Sequence, residues 1–256
     1  MGTYAAVVLA GGSARRMGGV DKPALPVGGR PMRLRVLAAV SDARPRVLVG
    51  PVDAVPEGVR VTREDPPGGG PVAAAAAGLA LLDPDTTRVA LLAADLPLLT
   101  RAAIGDLLAH LSEENPGHAA PVAGSGVVGN GVVGSGLVGS GVVGSGVVGS
   151  GPVGRGPVGS SVGSGVVGSG RRPDGACFVD GDGRRQSLCG VWRVAALRAA
   201  LDRLTVERSG SLSGAPVRAL LAGLDVREVP WAGDGPPPWF DCDTDEDVRR
   251  AEEWAR

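Results

Sequence analysis

Short apolar runs without any charge alternate with amphipathic stretches along most of this chain. Residues 4–9 (YAAVVL) lead into a pair of glycines, and residues 89–94 (VALLAA) lead directly into Asp95, as expected for strands buried on both faces of a parallel sheet. Between these two runs lies the alanine-rich stretch 71–82, which is typical of a helix. The alternation predicts an α/β fold with a mainly parallel sheet and helices on both of its faces.

The same patterns predict the remaining elements. Further strands are expected at residues 46–49, 59–62, 119–122, 176–179, 187–192 and 226–229. Further helices are expected at residues 31–40, from Thr100 through Leu111, at 194–204, at 216–224, and from Thr244 through Trp254. The last helix has a capping-box pattern at its start, because Asp247 lies three residues after Thr244.

A five-residue repeat of the form GSGVV occupies residues 124–170 and contains 19 of the chain's 43 glycines. Glycine loses much conformational entropy on ordering, and one or two valines per repeat bury little apolar area in return. We therefore expect a flexible Gly-rich insertion, with a β-rich stack of the paired valines as the alternative. One α/β domain would then be formed by residues 1–123 and 171–256, with the insert between its two parts.

The repeat also matches the dinucleotide fingerprint G-x-G-x-x-G every five residues. That fingerprint binds a pyrophosphate only where it joins a strand to the N-terminus of a helix. Neither element is predicted here, so we reject the match.

Composition excludes several classes of protein. A net charge of −1 without long single-sign runs argues against a nucleic-acid partner. The longest nearly uncharged stretch outside the repeat, residues 71–82, is shorter than the ~18 residues of a membrane-spanning helix. Charges follow the N-terminal apolar run instead of preceding it, the reverse of a secretory signal. We expect a cytoplasmic protein without a membrane partner, a monomer or weak oligomer.

The three cysteines, Cys177, Cys189 and Cys242, are far apart and form no Cys-x-x-Cys pair. This spacing is typical neither of a disulfide framework nor of a zinc site. We interpret them as ordinary buried thiols.

The loop after the first strand, residues 9–22, reads LAGGSARRMGGVDK. Its glycines allow backbone N–H groups to approach an anion, and this position in a parallel sheet is where phosphates bind. Arg15, Arg16 and Lys22 add three cations, which suits a triphosphate. Lys22 is the chain's only lysine among 26 basic residues, which favours a site that needs a compact ammonium. A surface loop with solvated arginines is the alternative.

Carboxylates follow two other predicted elements. Asp95 comes directly after the strand at 89–94, where a carboxylate can hold Mg²⁺ between itself and phosphate oxygens. A turn-forming role is the alternative for Asp95. Asp241 and Asp243 have a spacing that points both side chains the same way on extended backbone. Either could complete the metal site, although capping of the last helix also explains Asp243.

Five segments together resemble the MobA-type nucleotidyltransferases, and among them the molybdenum cofactor guanylyltransferases. The segments are LAGGSARRMGGVDK, REDPPGGGPVAAAAAGL, LLAADLP, RRQSLCGVW and FDCDTDEDV. In this order they cover the chain except residues 124–170. The resemblance implies a Rossmann-like nucleotidyltransferase fold, and it implies transfer of GMP from GTP to molybdopterin with Mg²⁺ and release of pyrophosphate.

The resemblance also implies roles for individual residues. Nucleotide contacts are implied for Leu9, Ala10, Gly11, Gly12, Lys22, Asp65 and Asp95. Lys22 and Arg16 would neutralise the leaving pyrophosphate, and Asp95 would act in catalysis by fixing the metal. Asp95 and Asp243 are the candidate metal ligands. The acceptor phosphate is already an anion, so in-line attack on the α-phosphorus needs no obvious general base.

The sequence departs from the family at two places, and these departures leave other functions open. The family often has two asparagines where this chain has Asp241 and Asp243, and no asparagine follows the second strand, where the chain reads Val49–Gly50–Pro51. Cytidylyl transfer and sugar-phosphate nucleotidyl transfer on the same fold are therefore alternatives. A non-catalytic nucleotide-binding protein and an assembly role for the repeat are alternatives of other classes.

Deletion of residues 124–170 distinguishes an enzyme with a tether from a protein that functions through its repeat. An insert placed in a loop contributes little to the rest of a domain, so we expect the shortened chain to keep nearly full activity. The measurement is pyrophosphate release by the full and shortened chains at equal concentration. Loss of activity at an unchanged melting temperature would instead assign the repeat to the acceptor site.

Overall fold

The computed structural model of the chain describes residues 3–11, 21–51, 54–112 and 172–256. These residues belong to one compact unit, Met1–Glu114 with Arg171–Arg256. The repeat and the strand expected at 119–122 lie outside the described residues.

The described residues form nine strands and six α-helices. The strands are β1 (Ala5–Leu9), β2 (Pro26–Val27), β3 (Arg30–Pro31), β4 (Arg46–Val49), β5 (Val59–Thr62), β6 (Arg88–Ala93), β7 (Gly175–Val179), β8 (Arg185–Arg193) and β9 (Val226–Pro230). The helices are α1 (Met32–Ala39), α2 (Pro71–Ala80), α3 (Arg101–Ser112), α4 (Val194–Glu207), α5 (Val217–Leu220) and α6 (Asp245–Trp254).

Seven strands form one sheet in the order β5-β4-β1-β6-β8-β7-β9. β1 pairs in parallel with β4 and β6, β4 with β5, and β7 with β9. β8 runs antiparallel between β6 and β7. The prediction of a mainly parallel sheet is therefore confirmed, with one reversed strand. The chain runs outward from β1 through β4 and β5 and then returns to the other side of β1 at β6. Ligands of such sheets bind beyond the strands' carboxyl ends where the direction of winding changes.

The two faces of β1 pack into different apolar cores. Ala6 and Val8 lie in a cluster with side chains of α1 and α3, while Val7 and Leu9 lie in a cluster with side chains of α2 and α4. Because both faces are covered, all five residues of β1 are buried. This explains why the strand is uniformly apolar and confirms helices on both faces of the sheet.

A third, smaller cluster attaches elements that the sequence did not predict. β2 and β3 form a two-stranded antiparallel hairpin, and Val27 of this hairpin packs with Met32, Leu98, Cys242 and Ala251. The hairpin is thereby joined to α6 and to the loop after β6. Two-residue strands are too short to show a periodic pattern, so sequence reasoning missed them.

The predicted helix at 216–224 was too long, since α5 ends at Leu220. Leu221 closes the helix as its C-cap, and Gly223 then has a φ of +81°, a left-handed conformation that stops a helix. The cysteines are free and buried, and burial raises the pKa of Cys177 to about 11 and that of Cys189 to about 12, so the prediction of ordinary buried thiols is confirmed. No helix among the described residues is both long and apolar enough to cross a bilayer.

Two helix glycines provide a test of the packing between α2 and the sheet. A Cβ on Gly78 would lie 2.4 Å from Val7 Cγ1, whereas a Cβ on Gly105 of α3 would meet no atom within 4 Å. We expect Gly78→Ala to lower the free energy of unfolding by about 1–3 kcal/mol through overpacking. Gly105→Ala should raise it by up to about 1 kcal/mol, since alanine is the better helix former. Urea denaturation measures both, and equal stabilisation would contradict the close packing at Gly78.

Candidate functional site

The carboxyl ends of β1 and β6 lie side by side and extend their pairing by one residue. Ala94 N–H donates to the carbonyl of Leu9 at 3.0 Å, and Ala10 N–H donates to the carbonyl of Val49 at 2.7 Å. The residues directly after these strands therefore have fixed positions. On one side of this edge the chain continues to Gly11, and on the other side it reaches Asp95.

Lys22 joins this edge to the far end of the chain. Its Nζ donates to Asp95 Oδ2 at 2.7 Å and to Asp243 Oδ1 at 2.6 Å. The side chain of Lys22 is 20% exposed, that of Asp95 22% and that of Asp243 60%. Two of the three groups are therefore shielded, while Asp243 remains open to solvent. The structure thus brings together three residues that the sequence analysis had selected separately.

The local backbone explains why each side chain reaches the same point. Lys22 begins a 3-10 turn, Lys22–Ala24, which leads into the β2–β3 hairpin. At the other end, the buried Cys242 donates its N–H to the carbonyl of Asp95 at 3.3 Å, so the strand end and the segment before α6 are held together. This contact places Asp243, the next residue, beside the β6 edge.

The cap of α6 does not use the side chain of Asp243, which contacts Lys22. Thr244 is the N-cap, and its Oγ1 accepts the N–H of Asp247 while the Asp247 carboxylate accepts the N–H of Thr244, which confirms the predicted capping box. The Asp243 N–H donates to the same carboxylate at 3.1 Å. The position of the Asp243 side chain is therefore explained by its contact with Lys22 and not by helix capping.

Opposite charges dominate the electrostatics of this cluster. Partial burial alone would lower the pKa of Lys22, but its hydrogen bonds with Asp243 and Asp95 outweigh this effect and raise the pKa above the usual lysine value. Burial, and then the negative charges of Asp243 and Asp95, raise the pKa of Asp241. Lys22 therefore stays protonated here, close to the carboxylates of Asp95, Asp241 and Asp243.

These carboxylates suit a hard divalent cation that keeps other ligands. No group of three or more Asp, Glu, His or Cys side chains within the described ranges is arranged to hold a metal ion alone. Magnesium usually binds to proteins through one or two carboxylates and takes its remaining ligands from water and phosphate. The carboxylates of Asp95 and Asp243, which meet at Lys22, fit such a partial site.

The candidate nucleotide-contacting residues fall into three groups. Leu9 and Ala10 are buried at the end of β1, and Gly11 is exposed directly after them. Asp65 lines a cavity of about 360 Å³ between α2 and the segment after α4. Gly12 and Arg16 lie outside the described residues, so their predicted roles stay predictions.

Sequence reasoning missed Gly50, which directly follows β4. A Cβ at Gly50 would lie 2.8 Å from the carbonyl carbon of Ala10 and 2.9 Å from the nitrogen of Gly11, and its φ is +144°. Only glycine fits between the two backbones. The signal in the sequence was a glycine followed by Pro51 at a strand end, and this is also common in ordinary turns.

A second missed residue is Glu64, which lies two residues after β5. Glu64 is 7% exposed, and it is the one buried charged residue in the described part of the chain. A Cβ at Gly11 would lie 3.7 Å from Glu64 Oε1, so this carboxylate also lies at the end of β1. No pattern marked it, because Glu64 stands among the polar residues Arg63 and Asp65 in a loop.

Comparison with known proteins gives a family and a set of relatives. Residues 6–227 match the model of the MobA-like NTP transferase domain. A molybdenum cofactor guanylyltransferase from Bradyrhizobium sp. (strain ORS 278) is 36% identical over 134 residues, which is 46% of this chain and 63% of that protein. A probable molybdenum cofactor guanylyltransferase from Haloferax mediterranei is 47% identical over 45 residues, 18% of this chain and 21% of that protein. The chain thus spans less than two thirds of the length of either curated relative.

Solved structures of similar fold cover nearly the whole chain. Molybdopterin-guanine dinucleotide biosynthesis protein A from Archaeoglobus fulgidus matches with a TM-score of 0.56 at 16% identity, over 97% of each chain. The 2-C-methyl-D-erythritol 4-phosphate cytidylyltransferase from Thermus thermophilus matches with a TM-score of 0.55 at 16% identity, over 99% of this chain and 98% of that one. At these identities the likeness concerns the fold, and it confirms the expected Rossmann-like nucleotidyltransferase architecture.

Substitution of Gly50 tests whether the backbone at the end of β1 must keep its position. Gly50→Ala should displace Ala10 and Gly11 and lower nucleotide affinity at least about tenfold, which corresponds to about 1.4 kcal/mol. Gly58→Ala is the matched control, because Gly58 also has a positive φ (+76°) but its nearest neighbour would be 3.8 Å from the new Cβ. Calorimetric titration with nucleotide measures both variants. An equal loss of affinity in both would mean that backbone strain alone is responsible.

Proposed function

The chain belongs to the MobA-like NTP transferase family, and on this basis we propose that it is a Mg²⁺-dependent nucleotidyltransferase that transfers GMP from GTP to molybdopterin and releases pyrophosphate. The observation that carries the proposal is the contact of Lys22 Nζ with both Asp95 and Asp243. This cluster lies at the carboxyl ends of β1 and β6, where the winding of the sheet changes direction and where nucleotides bind. Curated relatives named as molybdenum cofactor guanylyltransferases support GTP and molybdopterin as the two substrates.

Lys22 is suited to neutralise the phosphates of the nucleotide. Its raised pKa keeps the ammonium protonated at neutral pH, and its four-carbon side chain can exchange a carboxylate partner for a phosphate oxygen. In-line attack by an acceptor phosphate needs no deprotonation, so positioning and neutralisation of charge account for the catalysis that the chain itself provides. Lys22, together with Arg16 from the preceding loop, would stabilise the leaving pyrophosphate.

Asp95 and Asp243 are the residues that would hold magnesium. Their oxygen donors fit this ion, and the negative charge concentrated around Lys22 would be reduced by it. Bound there, Mg²⁺ supplies charge for the α-phosphate and for the leaving group. Both carboxylates are positioned before any ligand binds, Asp95 by the end of β6 and Asp243 by its contact with Lys22.

The remaining nucleotide contacts follow from the end of β1. Leu9, Ala10, Gly11 and Gly12 would contact the nucleotide, and Asp65 would contact its nucleoside part. The cytoplasmic location, the monomeric or weakly oligomeric state and the lack of nucleic-acid and membrane partners stay predictions from composition.

Pyrophosphate release tests the reaction and the role of Lys22 together. We expect the wild-type chain to release pyrophosphate with GTP, Mg²⁺ and molybdopterin, and to do so far more slowly with CTP or with a sugar 1-phosphate as acceptor. Lys22→Ala should lower turnover at least about 100-fold, since it removes a charge that stabilises the leaving group. The variant should keep its fold, which circular dichroism measures.

Arg60→Ala is the matched control for Lys22→Ala. Arg60 also pairs with a carboxylate, that of Asp83 at 2.8 Å, but Arg60 lies in the edge strand β5 and both side chains of this pair are exposed. Its loss should leave turnover unchanged. Wild-type turnover in Lys22→Ala would overturn the role of Lys22, release only with CTP would assign cytidylyl transfer, and binding of GTP without any release would favour a non-catalytic nucleotide-binding protein.

A further inference from the structure

The Glu64 carboxylate has one oxygen in use and one without a partner. Oε1 accepts the N–H of Gly68 at 2.9 Å. Oε2 is buried and has no hydrogen-bond partner among the described residues. A buried acceptor left without a donor destabilises the folded chain, and such groups in native proteins require an explanation. A ligand that supplies the missing donor provides one.

Two glycines lie beside this carboxylate. A Cβ at Gly11 would lie 3.7 Å from Oε1 and 3.9 Å from Oε2, and a Cβ at Gly69 would lie 3.6 Å from Glu64 Cγ. Neither glycine places a side chain between the carboxylate and the backbone at the end of β1. Gly11 is exposed, so a ligand that lies on this backbone comes near the buried Oε2.

The charge of Glu64 restricts which part of a nucleotide can lie here. A phosphate would be repelled by a carboxylate, whereas N–H or O–H donors of the nucleoside would be accepted. Of the common bases, guanine has two adjacent donors on one edge, N1–H and the 2-amino group, while adenine and cytosine have a ring-nitrogen lone pair beside their amino group. The 2-amino group is a donor that only guanine has, so a carboxylate that faces it distinguishes guanine from every other common base.

We propose that Glu64 determines the nucleobase specificity of this site, with Oε2 accepting a hydrogen bond from the 2-amino group of guanine beside Gly11 while Gly68 holds Oε1. This inference rests on the proposed function and assigns the base-selecting contact within it. Asp65, the next residue, lines the cavity beside α2.

Substitution by glutamine reverses the polarity of the free position. In Glu64→Gln only the amide oxygen can accept the Gly68 N–H, so the NH₂ group must take the place of Oε2. The position that accepted a hydrogen bond then donates one. Xanthosine triphosphate has a carbonyl oxygen where GTP has its 2-amino group, so the variant should favour this nucleotide over GTP. Removal of the negative charge alone would affect GTP and inosine triphosphate, which carry the same charge, equally and cancels in the ratio of their affinities.

The test is equilibrium binding of GTP, xanthosine triphosphate and inosine triphosphate, with Mg²⁺ and without an acceptor. We expect Glu64→Gln to shift the ratio of GTP to xanthosine triphosphate affinity at least about tenfold towards the latter, which is about 1.4 kcal/mol. Glu57→Gln is the control, because Glu57 is an exposed glutamate before β5, and it should leave the ratio unchanged. An unchanged ratio in Glu64→Gln, including an equal loss for all three nucleotides as expected of a ribose contact, would overturn the inference.

A measurement on the wild-type chain keeps the inference testable if Glu64→Gln does not fold. Inosine triphosphate lacks only the 2-amino group and should bind at least about tenfold more weakly than GTP; equal affinities would overturn the assignment. Pyrophosphate release distinguishes a failure of the role proposed for Glu64 from a failure of the proposed function. A wild-type chain that turns over GTP but shows neither effect refutes the role of Glu64 alone, and one that neither binds nor turns over any nucleotide refutes the proposed function and this inference together.

Discussion

The complete burial of β1 is the constraint on which the rest of this structure depends. All five of its residues are buried, and the strand pairs on both sides with parallel neighbours. A strand held on both edges and both faces has no freedom at its carboxyl end, so Ala10 and Gly11 have fixed positions before any ligand binds. The loops after β4, β5 and β6 are then positioned relative to this end, and each contributes one residue of the candidate site.

Lys22 links the end of the sheet to the segment before the last helix. Its two carboxylate partners lie 73 and 221 residues away in sequence, so the cluster exists only when the sheet, the β2–β3 hairpin and α6 are all in place. The pKa of Lys22 is raised on folding. Its contribution to stability is therefore fully present below the usual lysine pKa and is lost only as the pH rises through the higher value of the folded state. Across neutral pH the cluster keeps its charges.

Sequence patterns predicted most strands and helices and missed residues whose role is defined by close contact. β4 and β5 have the bounds predicted from the sequence, and the α6 cap follows from the spacing of Thr244 and Asp247. Lys22 could be selected because it is the chain's only lysine. Gly50 and Glu64 could not, since a glycine before a proline and a glutamate among polar residues both look like ordinary loop residues. Their importance arises from distances to Ala10 and Gly11, and a sequence does not contain these distances.

The order of the strands also favours one orientation of a nucleotide in the site. Glu64 follows β5, Gly11 follows β1 and Asp95 follows β6, and the sheet places these strands in the order β5-β4-β1-β6. A nucleotide that lies across this edge meets an unpartnered carboxylate oxygen on one side of Gly11 and the Lys22 ammonium on the other. The carboxylate repels phosphates and accepts donors of the base, whereas the ammonium attracts phosphates. Opposite charges on the two sides of one strand end thus favour a single orientation of the nucleotide, with its phosphates towards β6, where the proposed metal ligands lie.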